Sequence, residues 1–331
     1  MKIETVASSP LTASALPCHL QALLEAGVRR RELGYRGRFA PSPTGALHRG
    51  NLRTALLSWL HARLRGGQWL LRIDDLDTPR NRSGAEAAIL ADLRWLGLTW
   101  DGEVLRQSER RGLYGTALSA LRRQGLLYPC RCSRRLLADV SAPHGALAVY
   151  PGFCRDRGGG WGPEQGRLPS WRLRLAAGAL RWPEAYAPPG ALDAEAAIGD
   201  VVLRRADGFL AYHLATAVDE LSLGISDVVR GDDLWSATGA QVAVMAALGA
   251  APPSYGHVPL WRDAEGRRLS KREGAEGLDG YRQRGLDAAA VLGELAASAA
   301  LVPPGSRLSA AELLQELSPG RLDRALRALQ P

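Results

Sequence analysis

The amino-acid sequence predicts an α/β fold with a mainly parallel sheet that is interrupted by an insertion. Strand-like and helix-like segments alternate over residues 36–127, and the alternation returns over residues 201–275. Residues 128–200 differ, because they are rich in Gly and Pro and contain only short strand-like segments. We therefore expect two halves of one sheet around an inserted unit, with ligands bound at the carboxyl ends of the strands.

The first half opens with a strand, a tight turn and a helix. Strand-like residues 38–40 run into Pro41 and Pro43, which forbid an immediate helix, and a helical pattern follows over residues 52–60. A helix that begins after such a turn presents its N-terminus to an anion. The turn suits a nucleotide polyphosphate, and the residues that could approach it are Gly45, His48 and Gly50.

The remaining elements continue the alternation. The pattern predicts a strand over residues 68–73, a helix over 84–96 and a helix over 108–124. The second half is predicted to contain α/β segments over residues 201–205, 211–219 and 227–230, a helix over 238–248 and a strand over 257–260.

The two ends of the chain lie outside this alternation. Residues 1–35 are expected to be an N-terminal extension that includes a short helix over residues 20–28, and disorder of the extension is favoured over a basic segment that touches RNA. Residues 276–331 are predicted to be mostly helical.

Composition excludes several classes of protein. Forty-six per cent hydrophobic residues are enough for a buried core, and no run approaches the roughly 18 apolar residues of a membrane span. The formal net charge of +8 suits a polyanionic partner. Four cysteines without a secretory signal argue against a disulfide framework. A cytoplasmic monomer is therefore expected.

Three of the cysteines form a candidate metal site. Cys130, Cys132 and Cys154 lie within 25 residues, and three thiolates make most of a tetrahedral zinc site. One ligand is missing, and on chemistry alone imidazole is the common choice. The nearby donors are His144, Tyr150 and Asp156.

Two motifs together resemble the signatures of class I aminoacyl-tRNA synthetases. His48-Arg49-Gly50-Asn51, preceded by Pro-Ser-Pro-Thr-Gly, is similar to the first signature in the bacterial glutamyl branch. The segment Arg267–Arg272 resembles the second, mobile Lys-Met-Ser-Lys-Ser signature, with Arg268 in place of the first lysine. The resemblance implies a class I, Rossmann-like nucleotide-binding fold.

This resemblance implies activation of an amino acid by ATP, with Mg²⁺ on the ATP phosphates. In that reaction a carboxylate attacks the α-phosphorus, and the protein orients it and stabilises negative charge. The implied catalytic residues are His48, Arg268 and Lys271, and the implied ATP-binding residues are His48, Gly50, Asn51, Ser270 and Lys271. Without the first motif, Ser270 and Lys271 would equally fit a solvated basic turn.

The resemblance also implies a glutamate pocket. Arg38 and Arg230 would bind the side-chain carboxylate, because an arginine fork recognises a carboxylate with two hydrogen bonds. Asp74 would hold the amino group, although the family usually has a glutamate there. The implied lining residues are Ala40, Ser42 and Tyr212.

For the metal site, the resemblance favours a tyrosine ligand. The Cys-x-Cys…Tyr-x-x-x-Cys spacing is similar to the zinc knuckle of short glutamyl-synthetase-like enzymes, which implies Tyr150 as the fourth ligand ahead of His144. Zinc would be structural, because it would close an insertion that has little core of its own. Three unrelated buried thiols are the alternative.

The number of residues after Lys271 separates two kinds of glutamyl-synthetase-like enzyme. About 60 residues follow it, which leaves room for part of the stem-contact helices and none for an anticodon-binding domain. The sequence is therefore most similar to the glutamyl-queuosine tRNA(Asp) synthetase family. That resemblance implies tRNA-independent activation of glutamate and its transfer to the queuosine cyclopentenediol at the wobble position of tRNA(Asp).

Two alternatives remain open. One is a minimal glutamyl-tRNA synthetase body, and the other is a non-catalytic synthetase-like RNA-binding protein, which the departures at Asp74, His213 and Arg268 would fit. Exposed tryptophans in the insertion could stack on an unpaired loop, but packing is the favoured role for them. These tryptophans are Trp161, Trp171 and Trp182.

Overall fold

The computed structural model describes residues 16–133, 136, 149–261 and 277–330. Within these ranges, none of the helices has both the length and the apolar character that crossing a membrane requires.

Parallel strands form two ladders that hold the predicted nucleotide-binding sheet. The first ladder has the order β1 (Arg36–Phe39), β2 (Gln68–Ile73) and β3 (Leu105–Arg106). The second pairs β9 (Asp227–Gly231) with β10 (Ser254–Val258). Both ladders are parallel, which agrees with the predicted α/β class. The predicted bounds of β2 are matched, whereas β10 begins three residues before the predicted strand.

Ser226 joins the two ladders into one layer. The Ser226 amide donates to the Arg36 carbonyl oxygen (2.9 Å), and the Arg36 amide donates to Ser226 Oγ (2.8 Å). The strand order across the layer is therefore β3-β2-β1-β9-β10. The direction of chain progression reverses between β1 and β9, and ligands bind outside the carboxyl ends of the strands at such a point.

Helices cover both faces of this layer and enclose two cores. Leu52, Leu56 and Leu60 pack on one face with the C-terminal helices, and Leu118, Leu214 and Val244 pack on the other. The α-helices up to residue 247 whose bounds lie in the described ranges are α1 (Cys18–Glu32), α2 (Arg49–Arg63), α3 (Ala85–Trp95), α4 (Arg111–Arg123), α5 (Ala194–Ala197), α6 (Tyr212–Ser222) and α7 (Trp235–Ala247).

The described part of the N-terminal segment is helical over residues 18–32, which contains the predicted short helix over residues 20–28 and corrects the expectation of disorder there. Leu20 and Leu24 are buried on one side of α1 and join the core formed by α4, α6 and α7. Arg30 donates to the Ser222 carbonyl oxygen (2.9 Å) and Arg31 to the Ala251 carbonyl oxygen (2.7 Å). These arginines fix α1 to the body of the protein.

The insertion contains a second, antiparallel sheet. Its strand order is β4 (Leu127–Cys130), β5 (Ser170–Leu173) and β8 (Val201–Arg204). The predicted boundary at residue 200 is wrong by one strand, because β8 pairs with β5 and not with the parallel layer. A hairpin of β6 (Ala179–Trp182) and β7 (Gly190–Asp193) completes the inserted unit.

The tryptophans of the insertion are packing residues. Trp182 is only 2% exposed and belongs to the core beneath β10. Trp161 and Trp171 meet edge to face with centroids 4.8 Å apart, and the Arg122 guanidinium lies 4.2 Å from the Trp161 ring.

The C-terminal region is helical, as predicted. Its helices pack against α2 and α3 through buried leucines such as Leu295 and Leu322. The four helices are α8 (Leu278–Gln283), α9 (Ala288–Ala297), α10 (Ala310–Glu316) and α11 (Pro319–Ala328).

Candidate active site

A cavity of about 340 Å³ opens at the carboxyl ends of β1 and β9, where the strand order reverses. Most of the residues predicted to bind glutamate or ATP line it. They are Arg38, Ala40, Ser42, His48, Gly50, Asn51, Tyr212 and Arg230.

The turn between β1 and α2 forms one wall of this cavity. Gly45 has φ +132°, a backbone conformation that favours glycine over any residue with a Cβ atom. The turn is held from outside, because the Asp74 amide donates to the Pro41 carbonyl oxygen (3.0 Å) and the Arg82 amide to that of Pro43 (2.9 Å). The Gly/Pro segment is therefore a fixed cradle at the start of α2.

His48 caps α2 and takes a defined orientation. Its Nδ1 accepts a hydrogen bond from the Asn51 amide (3.3 Å). Because Nδ1 is the acceptor, the proton of the neutral imidazole lies on Nε2. That nitrogen can donate to a phosphate oxygen, and the positive end of the helix dipole lies beside it.

Arg38 is buried at the base of the cavity and held at one edge. Its Nε donates to Glu220 Oε1 (2.8 Å), and the two side chains are 5% and 1% exposed. This is the one hydrogen bond that the described part of the chain gives to the Arg38 side chain. The four N–H groups of its two terminal nitrogens therefore remain for a ligand, which is the fork that suits a carboxylate.

Arg230 is held at three points. Its Nε donates to His257 Nε2 (3.3 Å), one terminal nitrogen donates to Gln241 Oε1 (2.9 Å), and the other to Thr238 Oγ1 (2.6 Å). The Tyr255 ring lies 4.9 Å from the guanidinium carbon. Arg230 thus supplies fixed positive charge and few remaining donors, whereas Arg38 supplies the fork.

Asp74 faces a neighbouring cavity and is paired with Arg72. Arg72 Nε lies 2.6 Å from Asp74 Oδ1, and a terminal nitrogen lies 3.2 Å from Oδ2. Burial raises the pKa of Asp74, and the Arg72 guanidinium opposes that rise. The ion pair explains how a carboxylate remains at a buried position.

Glu220 and Asp219 hold this cluster of charges together and were missed by the sequence analysis. Glu220 lies 3.6 Å from Arg72 in addition to its bond with Arg38. Burial raises the pKa of Glu220, but Arg38 and Arg72 outweigh it and lower the pKa overall. Asp219 accepts hydrogen bonds from Gln107, Arg110 and Tyr114. Two consecutive acids within an otherwise apolar helix were the available signal.

The neighbouring cavity has a volume of about 460 Å³ and adjoins the first one. Ser42 and Tyr212 line both cavities, so the two spaces meet at these side chains. The second cavity extends between the parallel layer and the insertion. Its other walls include Asp74, Arg80, Tyr150, Asp200, Arg205, Phe209 and His213.

The flanks of residues 262–276 lie at the first cavity. Trp261 lines it, and Arg53 donates to the nearby Pro259 carbonyl oxygen (2.7 Å). At the other end, Gly277 forms an antiparallel bridge with His48. The predicted residues Arg268, Ser270 and Lys271 lie between these flanks and outside the described residues.

The cysteine cluster is assembled at the end of β4. The sulfur atoms of Cys130, Cys132 and Cys154 lie within 4.8 Å of one another, with 3.6 Å between the last two. Tyr150 Oη lies 3.4 Å from Cys130 Sγ and 3.6 Å from Cys132 Sγ. Zinc–sulfur bonds of about 2.3 Å give tetrahedral edges of roughly 3.8 Å, so the donor set fits zinc. His144 lies outside the described residues.

Asp200 holds the segments around the cysteine cluster through hydrogen bonds. Arg155, next to Cys154, donates to Asp200 Oδ1 (2.6 Å), and Tyr128 donates to Asp200 Oδ2 (2.6 Å). Arg172 donates to the Asp200 carbonyl oxygen (2.6 Å) and lies 3.6 Å from the Tyr150 ring centroid. These contacts connect the cluster to the wall of the second cavity.

Comparison with known proteins identifies the family. The model of the tRNA synthetases class I (E and Q) catalytic domain matches residues 35–142 and 190–297. A glutamyl-Q tRNA(Asp) synthetase from Prochlorococcus marinus (strain MIT 9303) is 60% identical over 92% of this chain and 95% of its own length. A protein of the same name from Nocardia farcinica is 44% identical over 90% of this chain and 94% of its own.

A solved structure agrees with this family. A glutamate tRNA ligase from Elizabethkingia meningosepticum, crystallised with its amino acid, superposes with a TM-score of 0.72 at 26% identity. The superposition covers 87% of this chain but 65% of that ligase, so this chain spans less than two thirds of the ligase.

Proposed function

The chain belongs to the glutamyl-Q tRNA(Asp) synthetase family of class I tRNA synthetases, and from this premise we propose that it activates glutamate with ATP in the absence of tRNA. It is a ligase with an activity like that of glutamate tRNA synthetases. In the proposed second step, glutamate is transferred to queuosine in tRNA(Asp).

Glutamate is proposed to bind across the junction of the two cavities. The observation that carries this proposal is the pair of buried guanidinium groups, Arg38 and Arg230, that face one cavity of about 340 Å³. Two fixed positive charges select a second carboxylate on the amino acid. Asp74 would hold the amino group near Ser42 and Tyr212, with Ala40 completing the pocket.

The reacting carboxylate of glutamate would attack the α-phosphorus of ATP, and pyrophosphate would leave. His48, Gly50 and Asn51 would bind the phosphates at the start of α2, because these residues line the cavity at the positive end of the helix dipole. Lys271, Arg268 and Ser270 would approach the ATP phosphates. They belong to residues 262–276, whose neighbours Trp261 and Gly277 lie at this cavity. Magnesium bound with ATP would neutralise part of the phosphate charge.

Transfer requires a nucleoside next to the glutamyl-adenylate. A hydroxyl of the queuosine cyclopentenediol would attack the acyl carbon, and AMP would leave. The second cavity supports this step, because it adjoins the first and is lined by Arg80, Arg205 and the Phe209 ring. Arginine and aromatic side chains are the groups that pair with and stack on unstacked nucleosides.

The cysteine cluster is proposed to hold a structural zinc ion through Cys130, Cys132, Cys154 and Tyr150. The bound ion would fix β4 to the segment that contains Tyr150. Because Tyr150 and Asp200 line the second cavity, this fixation would also shape the surface offered to tRNA.

The test separates the two steps. ATP–pyrophosphate exchange is measured with glutamate, with and without tRNA, and labelled glutamate is offered to tRNA pools that contain or lack queuosine. We expect exchange without tRNA, and label only in the queuosine-containing pool, on tRNA(Asp) and away from its 3′ end. Label at the 3′ end of glutamate tRNA in both pools would establish a minimal charging enzyme instead. Absence of exchange from folded, zinc-loaded protein would overturn both enzymatic functions.

A further inference from the structure

The insertion pairs with the edge of the nucleotide-binding layer through an isolated β-bridge. The Tyr255 amide donates to the Pro183 carbonyl oxygen (2.9 Å), and the Ala185 amide donates to the Tyr255 carbonyl oxygen (2.7 Å). Glu184 therefore lies beside β10 in a parallel bridge with Tyr255. The chain following β6 of the insertion is fixed to the half of the sheet that carries Arg230.

The Glu184 side chain is buried against His257. It is 2% exposed, and its Oε1 lies 2.7 Å from His257 Nδ1 and 2.8 Å from Trp182 Nε1. A carboxylate accepts hydrogen bonds, so the His257 proton lies on Nδ1 and the opposite nitrogen is an acceptor. Glu184 thereby selects one tautomer of His257.

The acceptor nitrogen of His257 faces Arg230. Arg230 Nε lies 3.3 Å from His257 Nε2, and Thr238 Oγ1 lies 3.0 Å from the same nitrogen. Burial, with the Arg230 charge assisting, lowers the pKa of His257, although Glu184 opposes that shift. A neutral imidazole is the form that can accept from a guanidinium.

We propose that Glu184 and His257 are positioning residues for glutamate binding, acting through Arg230. Glu184 fixes the His257 tautomer, and His257 then fixes the Nε edge of Arg230 so that the guanidinium stays directed into the cavity. This inference rests on the proposed function, in which Arg230 binds the side-chain carboxylate of glutamate.

Three variants and one control test the inference. His257→Asn keeps a group near Nδ1 but removes the acceptor at Nε2, whereas His257→Gln can place its amide oxygen near Nε2. Glu184→Ala removes the group that selects the tautomer. Trp182→Phe is the matched control, because it removes the other hydrogen bond to Glu184 and leaves Arg230 untouched.

The readout is KM for glutamate and for ATP in pyrophosphate exchange, together with the thermal midpoint of unfolding. We expect His257→Asn and Glu184→Ala to raise KM for glutamate about tenfold or more, because a hydrogen bond to a charged group is lost. His257→Gln should stay within about threefold of the wild type, and KM for ATP should change less than about twofold in all variants.

The outcomes separate this inference from the function on which it rests. An active wild-type enzyme with unchanged KM for glutamate in His257→Asn would overturn the positioning role alone. Parallel changes in both KM values and in the unfolding midpoint, without rescue by His257→Gln, would show a purely structural role. A wild-type protein without glutamate-dependent exchange would overturn the proposed function itself.

Discussion

The glutamate pocket and the cysteine cluster are both built from polar side chains, but the two regions obtain their partners differently. In the pocket, Arg38 is paired with Glu220 and Arg72 with Asp74, so these two buried charges meet opposite charges of the chain, whereas Arg230 is held by neutral groups. In the cluster, three thiols and one phenol face one another. The two ion pairs of the pocket lie within the chain, whereas the proposed zinc ion would supply the positive charge that thiolates of the cluster need.

The acidity of the thiols bears on the same difference. Burial raises the pKa of Cys132 to about 11, and burial also raises that of Cys154, but hydrogen bonds with Arg131 and Tyr150 outweigh it and lower the pKa of Cys154. Within the described residues, the small core around the thiols has Tyr128, Cys130 and Tyr150 as its buried members. We infer that the two regions differ in what holds them together and should respond to different perturbations.

Removal of one cysteine ligand should have the largest effect on structure. Cys132→Ser should lower zinc content and destabilise the region around β4 by about 4 kcal/mol or more, because metal binding to such sites supplies folding free energy. Hydrogen exchange resolved by peptide measures this locally. We expect faster exchange in β4 and residues 149–155, with β1 and β9 still protected.

Cys18→Ser is the matched control, because Cys18 is exposed and lies outside the cluster. It should leave both the zinc content and the exchange pattern unchanged. Equal exchange in the wild type and Cys132→Ser would show that the cluster does not depend on a metal.

Loss of the negative charge at Glu220 should destabilise the pocket. Glu220→Gln leaves Arg38 and Arg72 buried with less counter-charge, which should lower the free energy of unfolding by about 3 kcal/mol. Urea denaturation measures it. The exposed pair of Asp279 and Arg282 provides the control, since Asp279→Asn should cost less than about 1 kcal/mol. Similar losses in both variants would show that the buried network is not the source of the pocket's stability.

The sequence was informative where a function is carried by neighbouring residues. The turn from Pro41 to Gly50 and the spacing of Cys130 and Cys132 each lie in one short segment, and the structure assembles both. Strand β2 was also predicted with its observed bounds, because turn signals flank a continuous apolar run.

Long-range partners could not be predicted in this way. Glu184 and His257 are in contact although they are 73 residues apart in the sequence, and Glu220 and Arg38 are 182 residues apart. Strand β8 was predicted to belong to the parallel layer, but it pairs with β5 of the insertion. Its alternating pattern predicts a half-buried strand and contains no information on which strand pairs with it. Such information depends on tertiary packing and not on local propensity.

Replacement of the arginine fork should affect catalysis more than stability. Arg38→Lys keeps the charge and can still pair with Glu220, but it loses the two-point recognition of a carboxylate. We expect kcat/KM for glutamate in pyrophosphate exchange to fall about 30-fold, equivalent to about 2 kcal/mol. Arg65→Lys is the control, because Arg65 also makes a two-point contact, with Asp323, but outside both cavities. A loss within threefold for Arg38→Lys would assign carboxylate recognition to another group.

The smallest effect concerns a buried histidine, His61, whose neighbouring carboxylate, Asp323 at 3.8 Å, is shared with Arg65. His61 on α2 is 3% exposed, its Nδ1 lies 2.6 Å from the Tyr35 hydroxyl, and the nearby Asp323 is already bound to Arg65. Burial, assisted by Arg65, lowers the pKa of His61 to about 3. In the unfolded chain His61 takes up a proton as the pH falls through about 6.5, whereas in the folded protein it stays neutral at that pH. The contribution of His61 to the free energy of unfolding is therefore fully present above pH 6.5 and is lost as the pH falls below it.

Between pH 7 and pH 5.5 this single group should cost about 1.3 kcal/mol of unfolding free energy. Denaturation curves at the two pH values for the wild type and His61→Gln measure the contribution, which is the part of the pH dependence that the variant lacks. An identical pH dependence in both proteins would mean that His61 is protonated in the folded state. In that case Asp323 would be the counter-charge of His61 as well as of Arg65, as Glu220 is close to both Arg38 and Arg72 in the pocket.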